Sequence, residues 1–170
     1  MNTTPIIYFC LDCSFSSKNK HFKICPLCGG VVSYKRADNK YSIRKDRYDV
    51  DRYWDFLPLK DPAKQIGFGN DFTPLIDSKK LRSGSLAGKV MLKDETRNYT
   101  KSSKDRMAVV ALSHMNELGV KSFVVTSTGN VASALAFLLN KYKDIQMHCF
   151  VGEEFLSRHR FMDSPNIVIH

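Results

Sequence analysis

No apolar run in these 170 residues approaches the roughly 20 that a membrane-spanning helix needs. The first residues, MNTTPIIYFC, lack a basic segment leading into a long apolar one, so no secretory signal is read there. A cytoplasmic address is the expectation. Charge of one sign is never concentrated either. The net charge is +9, yet stretches such as KRADNKYSIRKDRYDVDRYWD mix bases with acids. That mixing describes a solvated surface rather than a dedicated nucleic-acid face, although a basic balance also attracts anionic ligands. No glycine follows Gly152. The length suits one medium domain or two small ones.

Cysteine is sparse but ordered. Cys10, Cys13, Cys25 and Cys28 form two Cys-x2-Cys pairs separated by eleven residues. Two such pairs supply four thiolates in tetrahedral reach of one Zn²⁺. Pro26 lies inside the second pair, and Gly29 and Gly30 follow it, where glycine lets the backbone turn and aim amides at sulfur. Apolar stretches at 6–9 and 31–34 suit the strands of a zinc ribbon over residues 1–34. Disulfides are the other reading, disfavoured without a secretory signal. His21 lies between the pairs and is read as a surface residue. A closed four-cysteine site is structural, with no open position for catalysis. The fifth cysteine, Cys149, falls in an apolar strand and reads as a small buried residue.

Residues 35–60 turn from polar to aromatic and end in YWDFLPL, which suits an anchor between the extension and a larger body. GFGNDFTPLI (67–76) and a polar connection with Gly84 and Gly88 follow. Val90–Lys93 reads as a short strand. It leads through DETRNYTKSS into a helix beginning near Lys104. Ser102 and Ser103 are N-cap candidates, and Asp105 suits the first turn. An ammonium is disfavoured at the positive end of a helix, so Lys104 is a candidate reactive amine; the plain alternative is a solvated surface lysine. Met107, Val110, Ala111, His114 and Leu118 are expected on the buried face, with Gly119 as the C-terminal cap.

The strand Ser122–Thr126 runs into Ser127, Thr128, Gly129 and Asn130 and then a second apolar helix carrying Val131, Leu135, Leu138 and Leu139. Strand, short polar loop and helix make an anion-binding arrangement, although an ordinary capped turn has the same form. The loop is not a GxGxxG dinucleotide motif. Strands at 146–151 and 166–170, with a helix at 153–161 between them, complete a parallel βαβαβ unit. The fold class is therefore α/β.

Several of these segments resemble the fold-type II pyridoxal-phosphate (PLP) enzymes, tryptophan synthase beta-like in architecture, and most closely the threonine synthases. Asp94, Glu95, Asn98, Thr100, Ser102, Lys104, Asp105 and Arg106 fall on that family's DE…NPTGSFKDR pattern. Tyr99, Lys101 and Ser103 stand where the family usually has Pro, Gly and Phe. Thr73-Pro74-Leu75 matches its TPL segment, and the ribbon with YWDFLPL matches the extension of one branch. Ser127–Asn130 resembles its SSGNTA loop, with Val131 where Thr is usual.

The resemblance implies a PLP Schiff base on Lys104 and contact of Asn130 with the cofactor's phenolic oxygen. It implies that Ser127, Thr128, Gly129 and Asn130 hold the carboxylate of a small amino-acid substrate. It further implies elimination of phosphate from O-phosphohomoserine, or turnover of a related phospho-amino acid, with a structural Zn on Cys10, Cys13, Cys25 and Cys28. The ribbon at 1–34, a linker and start of the large PLP domain at 35–93, and a Lys-bearing helix with an incomplete small domain at 94–170 are the expected divisions. The family's glycine-rich phosphate loop and the residue facing the pyridine nitrogen are not found. The expectation is the N-terminal part of such an enzyme, or else a truncated or split member that needs a complementing chain; a homodimer is the other candidate partner, and a zinc-ribbon nucleic-acid-binding protein is the disfavoured alternative.

Overall fold

The computed structural model describes residues 5–18, 20–67, 72–77 and 90–170. A three-stranded antiparallel sheet opens the chain. In it β1 (Ile6–Cys10) lies between β2 (Ser16–Lys18) and β3 (Val32–Arg36). Period-two alternation along β1 buries Ile6, Tyr8 and Cys10. This is the expected ribbon, with β3 extending to Arg36.

Arg36 fixes the connection that follows. Only 2% exposed, its guanidinium donates to the carbonyls of Trp54, Asp55 and Leu57, each at 3.3 Å, and of Leu59 at 2.7 Å. These carbonyls belong to the end of a 3₁₀ turn, Val50–Phe56, and to the extended residues after it. A buried cation needs such partners, and here the backbone of the aromatic segment supplies them. Trp54 and Leu59 are buried as an anchor should be, while Tyr48, Tyr53 and Phe56 stay exposed.

Two side chains of α1 (Lys104–Glu117) then receive the connection. The Glu117 carboxylate accepts from the amides of Lys60 and Asp61 at 2.7 Å each. The buried Ser113 hydroxyl accepts from the amide of Ile66 at 2.8 Å. A short antiparallel pair, β4 (Leu75–Asp77) and β5 (Met91–Lys93), precedes the helix. Residues 68–71 and 78–89, including Asn70, Asp71, Gly84 and Gly88, lie outside the described residues.

The buried face of α1 is one position away from the expected one. Asp105, Ala108, Val109, Leu112 and Ser113 are buried, whereas Met107 and Leu118 are exposed. The reason is the partner. α2 (Asn130–Leu139) packs against α1 and carries the fully buried Ala132 and Ala136 one turn apart on one face, and close approach of two helices favours small residues such as Ala108 and Ser113. His114 sits at the boundary, its ring 5.2 Å from that of His21, so His21 packs against the body instead of standing free. Gly119 ends α1 as expected. At φ +69 its amide bonds the Asn116 carbonyl, and the Val120 amide bonds that of Met115, a Schellman closure.

β6 (Ser122–Thr126), β7 (Gln146–Phe150) and β8 (Ile167–Ile169) form a parallel sheet in that order. Met147, Cys149 and Ile167 point into the core under α2, with Phe123 and Val125 packed against it. Cys149 is fully buried, and burial pushes its thiol up. Between β7 and β8 the expected helix at 153–161 is only a 3₁₀ turn, Glu153–Arg158. Phe155 and Leu156 are its sole apolar pair, too few for a stripe that would bury a full helix. The buried Asn166 closes the unit: its amide donates to the carbonyls of Leu139, Tyr142 and Ile145. Among the described residues no helix is long and apolar enough to cross a membrane.

Candidate active site

Lys104 is the first residue of α1 and is exposed. The loop that presents it, 94–103, is held by two polar clusters. In the first, the Glu95 carboxylate accepts from Arg106 Nε at 2.9 Å and Nη2 at 3.1 Å, from Thr73 Oγ1 at 2.7 Å and from Asn98 Nδ2 at 2.8 Å. Arg106 Nη2 also donates to Thr73 Oγ1 at 2.7 Å. Lys93 Nζ closes the cluster on the Thr73 carbonyl. Hydrogen bonds from Arg106, aided by Thr73 and Asn98 and opposed by partial burial, hold the Glu95 carboxyl down at about 2.

The second cluster centres on Asp105, 1% exposed. Its carboxylate accepts from the Thr100 amide at 2.9 Å and from the Thr100 hydroxyl. The acid expected to serve the helix dipole thus also clamps the loop in front of the lysine. Ser103 occupies the N-cap position without a side-chain bond; Ser102 Oγ accepts from the Lys104 amide at 3.2 Å. Asn98 Nδ2 reaches the Ser102 carbonyl at 2.9 Å. Lys101 has φ +63, a left-handed conformation that favours glycine. Tyr99 lays its ring 5.6 Å from Phe137 of α2, which in turn meets Phe161 edge-on at 4.9 Å.

A cavity of about 660 Å³ opens above Lys104. Ser127, Thr128, Gly129 and Asn130 form one wall, so the lysine and the loop named from sequence do meet. Ser127 Oγ accepts from the amides of Gly129 at 3.1 Å and Ala132 at 3.3 Å. It therefore caps α2 itself, and its proton remains to be donated outward. Gly129 has φ +149, and a β-carbon there would lie 3.2 Å from Arg158 Cβ. Glycine admits this close approach of the neighbouring segment.

That segment was missed in the sequence reading. Ser157, Arg158 and Arg160 line the same cavity as Lys104, as do Thr100 and Lys101 on the lysine's own loop. The Arg160 amide donates to Ser133 Oγ at 3.1 Å, and the Phe161 carbonyl accepts from Asn140 at 2.8 Å, which fixes 158–161 against α2. A signal existed: residues 151–160 follow the carboxyl end of β7, beside the loop after β6. Ligands in parallel α/β sheets bind at such ends.

The four cysteines of the ribbon also converge. Their sulfurs lie within 4.8 Å of one another, with Cys10–Cys28 at 3.5 Å and Cys13–Cys25 at 3.6 Å. A tetrahedral Zn–S distance of about 2.3 Å gives sulfur separations of about 3.8 Å, so the set fits one ion. All four are free of disulfides. Backbone amides of Phe15, Leu27, Cys28 and Gly30 point at the sulfurs, with Asp12 N 3.3 Å from Cys10 Sγ. Gly29 has φ +74, and a β-carbon on Gly30 would collide with Asp12. Gly29 is required by its left-handed backbone, while Gly30 leaves room for the Asp12 carboxylate that accepts from the Val31 amide at 3.2 Å.

Comparison with known proteins agrees with this geometry. Residues 66–162 match the family model described as pyridoxal-phosphate dependent enzyme. Threonine synthase of Methanocaldococcus jannaschii is 34% identical over 116 residues, which cover 64% of this chain and 29% of that protein. Threonine synthase of Methanosarcina acetivorans is 29% identical over 133 residues, covering 75% and 32%. A 2-amino-4-ketopentanoate thiolase beta subunit from an unknown prokaryotic organism is 29% identical over 118 residues, covering 65% and 24%. The chain thus spans about a third or less of these relatives' lengths. Among solved structures, a pyridoxal 5'-phosphate-dependent aspartate racemase shares the fold at a TM-score of 0.50 and 24% identity, over 58% of this chain and 31% of that one. A family match over more than half the residues, including the lysine loop and the cavity wall it faces, means that the chain belongs to the pyridoxal-phosphate dependent enzymes.

Proposed function

We propose that the chain is the N-terminal part of a threonine synthase-like lyase that eliminates phosphate from O-phosphohomoserine or a related phospho-amino acid. One observation carries this reading: Lys104 and the Ser127–Asn130 loop, far apart in sequence, line one cavity. Relatedness to threonine synthases from separate organisms supports the substrate class.

The donor set fits PLP chemically. It offers a primary amine for the aldehyde, an asparagine at a helix start, hydroxyls, and cations able to balance a phosphate. The cavity volume lies within the range of small-molecule sites. When bound, PLP supplies the electron sink that stabilises a carbanion next to nitrogen. Lys104 would hold it covalently and then move the substrate's α-proton with its freed amine. Asn130 would orient the ring. Ser127 and Thr128 hydroxyls, with the backbone at Gly129, would bind the substrate carboxylate. Zn²⁺ on Cys10, Cys13, Cys25 and Cys28 would hold the ribbon together and take no part in the reaction.

A second reading, in which the chain works with a copy of itself or a complementing chain, has its own support. Val124 and Phe150 lie on the outward face of the parallel sheet and are 66% and 45% exposed. Parallel sheets are ordinarily covered on both faces. Phosphate release from O-phosphohomoserine by the purified chain, with and without Lys104→Ala, tests the first reading. Release by the wild type alone supports it. Turnover that appears only on adding a second protein favours the other, and release equal in both variants contradicts the role of Lys104.

A further inference from the structure

Three cations besides Lys104 line the cavity: Lys101, Arg158 and Arg160. None of the described lining residues is acidic. Among the described residues, none of the three side chains forms an ion pair; Arg158 lies over the Phe155 ring at 5.0 Å. A cleft lined by one sign of charge focuses a field that draws in the opposite sign.

Lys101 is the telling member. It stands where the resembling family has glycine, in the left-handed conformation that glycine adopts without cost (φ +63). Backbone strain kept at a ligand cavity points to use of the side chain. Its loop cannot simply relax: Asn98 and Thr100, just before it, are tied down by the Glu95 and Asp105 clusters, and the Asn98 side chain bridges to the Ser102 carbonyl just after it. Arg158 and Arg160 are carried by a segment bonded to Ser133 of α2 and to Asn140, the residue that caps it. Two tethered segments therefore bring three cations to one cavity.

We propose that Lys101, Arg158 and Arg160 form a binding site for a phosphate monoester dianion beside Lys104, built from side chains rather than from a glycine-rich loop. This rests on the reading of the cavity as a cofactor and substrate site. Two sources share the chemistry: the phosphate of PLP and that of a phosphorylated amino acid. Arginine gives paired donors to phosphate oxygens, and lysine a point charge.

Binding measurements on the full 170-residue chain test it. Inorganic phosphate is titrated first, followed by NMR shifts or thermal protection at constant ionic strength, for wild type, Lys101→Gly and Arg158→Gln/Arg160→Gln. The expected result is saturable binding to wild type, weakened at least tenfold in the double variant and several-fold in Lys101→Gly. Lys101→Gly should at the same time raise the melting temperature, because the left-handed strain is removed. That gain shows the loss of binding is not misfolding.

The source is then read from two affinity ratios, PLP over pyridoxal and O-phosphohomoserine over homoserine. A fall of the first ratio in the variants assigns the site to the cofactor, and a fall of the second assigns it to the substrate. Phosphate binding that is absent, or equal in wild type and variants, overturns the proposal. Capture of pyridoxal on Lys104 in that same case would leave the broader reading standing. Phosphate binding without any capture on Lys104 would retain the anion site and remove the cofactor role.

Discussion

The ribbon and the lysine loop are both short irregular segments, yet they are held in different ways. In the ribbon, order converges on four sulfurs, and the flanking strands bury only Ile6, Tyr8, Cys10 and Arg36. In the lysine loop it is spread over six side chains, Thr73, Glu95, Asn98, Thr100, Asp105 and Arg106, which bond one another. The first arrangement has a single point of failure. The second fails gradually and leaves Lys104 itself outside the network. Of the residues on the family pattern, most hold the loop, and the Lys104 side chain stands outside that network at the cavity.

The largest effect should come from breaking the ribbon. Chelation of Zn²⁺, or Cys25→Ser, is expected to unfold residues 5–36 while the α/β unit keeps its protection. Metal binding supplies most of the folding energy of such small sites, about 10 kcal/mol or more. Hydrogen exchange mapped along the chain checks this. Loss of protection throughout would mean that the ribbon and body form one cooperative unit.

Asp105→Ala should cost about 1–3 kcal/mol, since it strands the buried Thr100 amide and hydroxyl. Urea unfolding gives the number, and proteolysis should locate the loosening at 98–103. The ribbon should be unaffected.

Acid should separate the two clusters of the loop. The Glu95 carboxyl sits at about 2, below its ordinary 4.5. A depressed carboxylate stabilises the fold above the unfolded value and loses that contribution as pH falls toward the folded one. Stability assigned to Glu95 should therefore be complete above about pH 5 and fall between 4.5 and 2. Glu95→Gln should flatten that part of the unfolding-versus-pH curve. Unchanged curves would show that the Arg106 contacts carry no such linkage. The smallest change is Gly119→Ala, expected to cost about 1 kcal/mol because an L-residue is strained at its positive φ. A shift in denaturation midpoint reads it.

Much of this was legible in the chain and some was not. The ribbon could be read because thiolate spacing is a local code. The strand, polar turn and helix start around Lys104 left local marks, but those marks fit a surface lysine equally well, and it was the resemblance to a family pattern that singled Lys104 out. The helix face was misjudged by one position, because apolarity pointed to Met107 and Leu118 while packing on the alanines of α2 selected Ala108 and Leu112. Arg36 looks like any strand-end arginine, and nothing nearby in sequence announces the carbonyls 18 to 23 residues on. Arg158 and Arg160 were read as part of a helix that does not form. Their meaning comes from the end of the sheet where they lie.

The central claim is that the loop frame leaves one lysine free and presents it to PLP. It is tested most directly on the purified chain by incubation with PLP, borohydride reduction, digestion and mass mapping of the modified residues. The account predicts selective pyridoxyl labelling of Lys104 above the chain's other lysines, reduced in Asp105→Ala. Labelling spread evenly over surface lysines, or absent from Lys104, would contradict it.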